Sequence, residues 1–157
     1  MNVSGVVLEG YFALATEETI GTNYCMTNPN SSGGFAVIGA TGSTLASAND
    51  VTLQASGMPA GQFGFFLNSQ TPGFIGNPGT SQGNLCLAGN IGRYNGDIFL
   101  SDAAGTSSLT LDLSMTPTPM GLTAIMAGET WHFQAWFRDV NPVPTSNFTD
   151  GLEILFN

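Results

Sequence analysis

Apolar and polar positions alternate with a period of two across residues 128–139, GETWHFQAWFRD. Trp131, Phe133, Ala135 and Phe137 fall on one face, and His132, Gln134, Trp136 and Arg138 on the other. Alternation of this kind with aromatic enrichment predicts a half-buried strand whose apolar face meets a core and whose mixed face points outward. The same period recurs at 51–56, where Val51, Leu53 and Ala55 oppose Thr52, Gln54 and Ser56. It recurs again at 108–113, with Leu109, Leu111 and Leu113 opposing Thr110 and Asp112. Residues 35–40, 63–68, 85–91 and 152–156 read as further strands. Residues 6–14 read as one more, bulged at Gly10.

Turn chemistry separates these segments: NPNSSGG at 28–34, MPAG at 58–61, TPTPMG at 116–121 and NPVPTSN at 141–147. Asn95-Gly96 predicts a two-residue hairpin between 91–94 and 97–100. Residues 69–84 read as one long loop, of the sort that is functional or packed on itself. Eight or nine short strands (roughly) with no helix predict an all-β, antiparallel two-sheet β-sandwich, immunoglobulin-like or jelly-roll-like. The sandwich module is assigned to 21–157. Residues 1–20 precede it as a strand or linker, pairing either with the same domain or with a neighbouring subunit.

Composition narrows the partners. The 157 residues fit one domain with a proper core. Charged residues make up 8%, against roughly 25% in ordinary domains. Lysine is absent, Arg93 and Arg138 are the only cations, and the net charge is −9. That leaves no basic footprint for nucleic acid or an anionic bilayer. No apolar run approaches the roughly 20 residues of a membrane helix, so no membrane insertion is expected. The first residues lack the positive region of a signal peptide, so an exported protein would appear here as a mature fragment or one module of something longer. Cys25 and Cys86 admit two readings, one disulfide in an exported protein or two buried thiols in a cytosolic one; low charge and the even count favour the first.

The segments GTNYC, PNSSG, ATGS, NDVTLQASGMP, GFI, PGTSQGNLCL, IGR, GETWHFQAWFRD and SNFTDG, spread over 21–156, together resemble a β-rich module seen at the C-terminal ends of long exported bacterial proteins. The resemblance implies export and a non-catalytic accessory role. It also supports pairing Cys25 with Cys86, since both lie in its motifs. The family pattern carries Asn where this chain has His132, which argues against chemistry at that imidazole.

Candidate chemistry follows from the residue types. One histidine with no nucleophile-elbow motif is a poor basis for acyl transfer. The acids sit in predicted turns or at strand ends rather than as a facing pair for glycoside hydrolysis. The protein is therefore expected not to be an enzyme and to need no cofactor beyond a structural calcium. Asp139, Asn141, Asn147 and Asp150 would supply hard oxygen ligands for that ion, unless they cap turns instead. Carbohydrate recognition is the sharper expectation. Trp136 would stack on a pyranose face while Gln134, His132 and Arg138 bond its hydroxyls, with Tyr94 and Arg93 as neighbours. Against it stands the tendency of tryptophan to be buried. The expected partner is a neutral polysaccharide or cell-surface glycan at an extracellular location. The alternative is a structural subunit that forms homo-oligomers by strand addition of its N-terminal segment.

Overall fold

The computed structural model describes residues 16–157. Among them run β1 (Thr19–Ile20), β2 (Thr22–Tyr24), β3 (Val37–Gly42), β4 (Val51–Ser56), β5 (Phe63–Ser69), β6 (Thr71–Gly76), β7 (Asn84–Ala88), β8 (Gly92–Arg93), β9 (Phe99–Leu100), β10 (Ser107–Thr110), β11 (Thr116–Thr118), β12 (Gly121–Thr123), β13 (Thr130–Val140), β14 (Pro144–Phe148) and β15 (Gly151–Leu155). One sheet has the order β1-β3-β4-β10. A larger one has the order β2-β15-β13-β5-β8, with β14 also on β13 and β9 also on β5. The pairings are antiparallel.

The inner faces of the two sheets share one core. Ile38, Ala40, Val51, Leu53 and Ala55 come from the first sheet, and Phe66, Phe133, Phe137, Leu152 and Ile154 from the second. The period-two reading of 51–56 and of 128–139 therefore holds on the inner side, because Cβ atoms alternate across a strand and only one set can reach the facing sheet. The chain crosses between the sheets at Gly21, whose φ of 87° suits a residue without a Cβ. Beside that crossing, the free edge of β3 is closed by side chains of the other sheet. The Ile38 N–H donates to Asp150 Oδ1 (2.8 Å), and its carbonyl accepts from Asn23 Nδ2 (2.6 Å).

Four expectations about connections change. Residues 69–84 are not a plain loop: β6 pairs with β7 as a hairpin, with an irregularity between Pro72 and Ile75. TPGFIG hides a strand because it is an edge, where proline is tolerated, and its exposed side chains need no alternation. The 116–121 linker likewise opens into the β11–β12 hairpin. Asn95-Gly96 does not join a hairpin. Both β8 and β9 pair with β5, Arg93 opposite Leu67 and Leu100 opposite Phe63, so the turn is an excursion from one interrupted edge strand. Finally, residues 144–148 form β14, which continues into β15 along β13 with an irregularity at Thr149–Asp150. Phe148 faces Trp136, whereas Leu152 faces Phe133, so this bulge moves even-numbered side chains from the outer to the inner face. The strand expected at 6–14, and its pairing with a neighbour, lie outside the described residues.

Cys25 and Cys86 are bridged, at a sequence separation of 61, which ties the end of β2 to β7. Closing a loop of this length stabilises by about 4 kcal/mol in the chain-entropy description. A Cys25→Ser/Cys86→Ser double variant should lose about that much in urea unfolding. A loss well under about 1 kcal/mol would show that the crosslink adds little to a fold already closed by its sheets.

Candidate functional site

The outer face of β13 is covered at one end and open at the other. His132 is 3% exposed and Gln134 fully buried, Trp136 is half-buried, and Arg138 is exposed. The expectation that all four side chains share an open face is thereby corrected for His132 and Gln134. The cause is the β6–β7 hairpin, which lies over this end of the sheet. Gln134 Oε1 accepts from the Cys86 N–H (2.9 Å), and Gln134 Nε2 donates to the carbonyls of Asn84 (2.8 Å) and Thr149 (2.6 Å). The amide thus bonds protein on every side it presents, and no ligand reaches it.

His132 is closed off by Tyr24, whose ring meets it edge-on at 5.4 Å between centroids. The Tyr24 hydroxyl donates to the Cys86 carbonyl (2.7 Å), and burial, with the Glu153 carboxylate adding to it, pushes the phenol up to about 12. Burial also holds the His132 imidazole below its ordinary value, while Glu153, 3.8 Å from Nδ1, pulls the other way. Nδ1 itself makes no hydrogen bond.

Trp136 lies beside the hairpin's connecting loop 77–83 and Leu85 of β7, less covered than Gln134. Its register partners are Phe65 on β5 and Phe148 on β14, and the Phe65 and indole centroids lie 5.0 Å apart at 33°. The indole lines two clefts. One, of about 260 Å³, has an apolar floor of Phe65, Leu67 and Phe148, with Arg93, Ser81 and Ser146 at its edge. The other, of about 430 Å³, is edged by Gln62, Arg138, Thr145 and Thr80. Both have a built rim. Ser81 Oγ and the Gln82 N–H donate to the Ser146 carbonyl, Gln82 Nε2 donates to the Asn141 carbonyl (2.7 Å), and Thr145 Oγ1 donates to the Thr80 carbonyl (2.8 Å). These bonds fasten loop 77–83 to β14. Phe65, Thr80 and Ser146 were not singled out from the sequence. Phe65 was legible as part of the aromatic-rich strand expected at 63–68, but the loop residues join the site only through tertiary contacts.

Two clefts elsewhere fit a ring ligand less well. One, of about 410 Å³ beside Thr118 and Met120, includes Trp131, but that indole is buried and donates its N–H to Glu129 Oε2 (2.9 Å). Another, of about 510 Å³ on the first sheet, has no aromatic lining.

The remaining expected residues separate. Tyr94 is not a neighbour of Trp136: it is buried in the inter-sheet core, where desolvation pushes its phenol well up. The calcium set also does not converge. Asp139 accepts from the Ser31 N–H (3.1 Å) and the Val140 N–H, and Asn147 donates to the Pro29 carbonyl. Asp150 serves Ile38 and Asn23, and the Asn141 carbonyl takes Gln82. Asp139 and Asn147 thus both hold the 29–31 turn, while Asp150 and Asn141 bond other segments. Among the described residues, no group of three or more His, Cys, Asp or Glu side chains is placed to hold a metal ion. Neither a family model, nor a curated protein, nor a solved structure matches the chain.

The His132 environment has a pH signature. Its folded-state pKa lies below the ordinary 6.5, so as pH falls the unfolded chain takes up this proton first, and stability declines below that value. Urea midpoints should fall between about pH 7.5 and 5, and a His132→Asn variant should flatten this window. An unchanged slope in the variant would assign the decline to other groups. Asp102 and Asp112 act in a separate, more acidic window. Thr106 and Ser114 respectively, with nearby backbone N–H groups, hold them below their ordinary value, so their stabilisation is lost only as they protonate.

Proposed function

We propose that the protein is an exported, non-catalytic glycan-binding module whose ligand stacks on Trp136. The observation that carries this reading is the position of the indole. It stays accessible at the junction of two clefts while the other aromatic rings of β13 are sealed in the core. Phe65 packs beside the ring at 5.0 Å between centroids, and hydroxyl- and amide-bearing residues line the clefts with the apolar ones. Small-molecule sites have this make-up, with apolar rings giving area and a few placed polar groups giving orientation. Support for export comes from the disulfide, which fits an oxidising compartment. The earlier likeness to an accessory module of secreted bacterial proteins points the same way. The reading gives His132 no part, because the imidazole lies under the covered end of the strand.

Fluorescence titration with a panel of soluble neutral and acidic polysaccharides tests the proposal. A panel member should perturb tryptophan emission. In isothermal titration, which does not need the indole as reporter, Trp136→Ala should weaken binding on the order of thirtyfold, as removal of an aromatic anchor does. Trp131→Phe should leave affinity unchanged, since that indole is buried. Binding that survives in Trp136→Ala, or a panel with no response at all, would sink the proposal.

A further inference from the structure

We propose that the glycan at the Trp136 surface is acidic, with carboxylates met by Arg93 and Arg138. This deepens the glycan-binding reading and rests on it. It replaces the neutral ligand expected from composition, because net charge describes the whole surface and not one cleft.

The chain has two cationic side chains and eleven acidic ones. With acids in such excess, the ordinary fate of an arginine is to pair with one. Among the described residues neither does so: the one close acid–base contact there joins His132 and Glu153 at 3.8 Å. Both guanidinium groups are exposed instead, and both border the indole, Arg93 on the apolar cleft and Arg138 on the polar one. The register places them on opposite sides of Trp136. Arg93 lies opposite Leu67, which lies opposite Gln134, two residues before the tryptophan, and Arg138 lies two residues after it. From strand rise and spacing, their Cα atoms are about 17 Å apart. Separate acidic units of one oligosaccharide, rather than a single carboxylate, suit that separation.

Asp139 lines the polar cleft beside Arg138, but neither it nor Asp97 forms an ion pair with an arginine. Asp139 is 1% exposed, and its carboxylate accepts from Ser31 and Val140 N–H groups. Asp97 sits on the turn beyond Arg93 and makes no ion pair with it. A guanidinium with no acid partner among the described residues presents a planar fork of donors that matches a carboxylate in two parallel bonds. A ring stacked on Trp136 would carry its acidic neighbours toward both forks.

Oligogalacturonides and their fully methyl-esterified forms test the idea, because they share a backbone and differ in charge. Isothermal titration should show the acid form binding about tenfold more tightly at low ionic strength, the advantage shrinking as salt screens these exposed groups. An Arg93→Gln/Arg138→Gln variant should bind both forms alike while keeping the wild-type circular dichroism spectrum. Equal binding of acid and ester by the wild type, lost in Trp136→Ala, would overturn the acidic ligand and leave the glycan reading standing. Binding of neither form would count against both.

Discussion

The side-chain amide of Gln134 is the contact on which the outer half of this molecule depends. It projects from the sheet face opposite Phe133 and Ala135, and it would be costly there without partners, since a buried amide must be hydrogen-bonded. The backbone of β7 supplies one N–H and one carbonyl, and Thr149 at the bulge between β14 and β15 supplies another carbonyl. One residue therefore fixes the β6–β7 hairpin onto the sheet and the bulge beside it. The disulfide and the Tyr24 hydroxyl hold the same hairpin from its other side, both through Cys86. A small apolar cluster of Leu67, Leu87 and Phe148 fills the space beneath.

Where this cover thins decides where a ligand can be met. Two residues beyond Gln134, Leu85 of β7 and loop 77–83 line the cleft at Trp136, and the indole packs beside Phe65 against the Leu67, Leu87 and Phe148 cluster while staying half-buried. The rim is not loose loop, because Ser81, Gln82 and Thr145 bind it across to β14. A site on a strand with a fastened rim keeps its geometry before the ligand arrives, which reduces the ordering cost of binding.

The unusual composition becomes intelligible in the same terms. With few charges, the fold uses Asn, Ser, Thr and Asp to satisfy backbone groups that sheets leave over. Asn30 donates to the Gly57 carbonyl, Asn84 to Met26, and Ser69 to Ala88. Asp102 caps its own turn at Ala104 and Thr106, and Asp112 does the same at Ser114. Acids committed to such turns are unavailable as partners for cations. The two arginines stand apart from that economy, which is why their shared location beside Trp136 carries information.

Much of the architecture was legible in the sequence because burial on one side of a strand leaves a period-two record. Val51, Leu53 and Ala55 wrote it, as did Trp131, Phe133 and Phe137, and the inter-sheet core follows from them directly. Trp136 and the two arginines were also visible as residue types out of keeping with their surroundings. What could not be read was cover on the outer side: His132 and Gln134 look like solvent-facing residues, since a polar side chain buried under a hairpin and one in water leave the same letter. The β6 and β11–β12 strands escaped for a related reason, as exposed edges need no alternation and tolerate Pro and Gly. Local pattern thus determined the strands that meet the core and the face each turns inward. Only tertiary structure decided which outward residues stay outward, because that depends on contacts such as Gln134 with Cys86 and Ser81 with Ser146, between segments far apart in the chain.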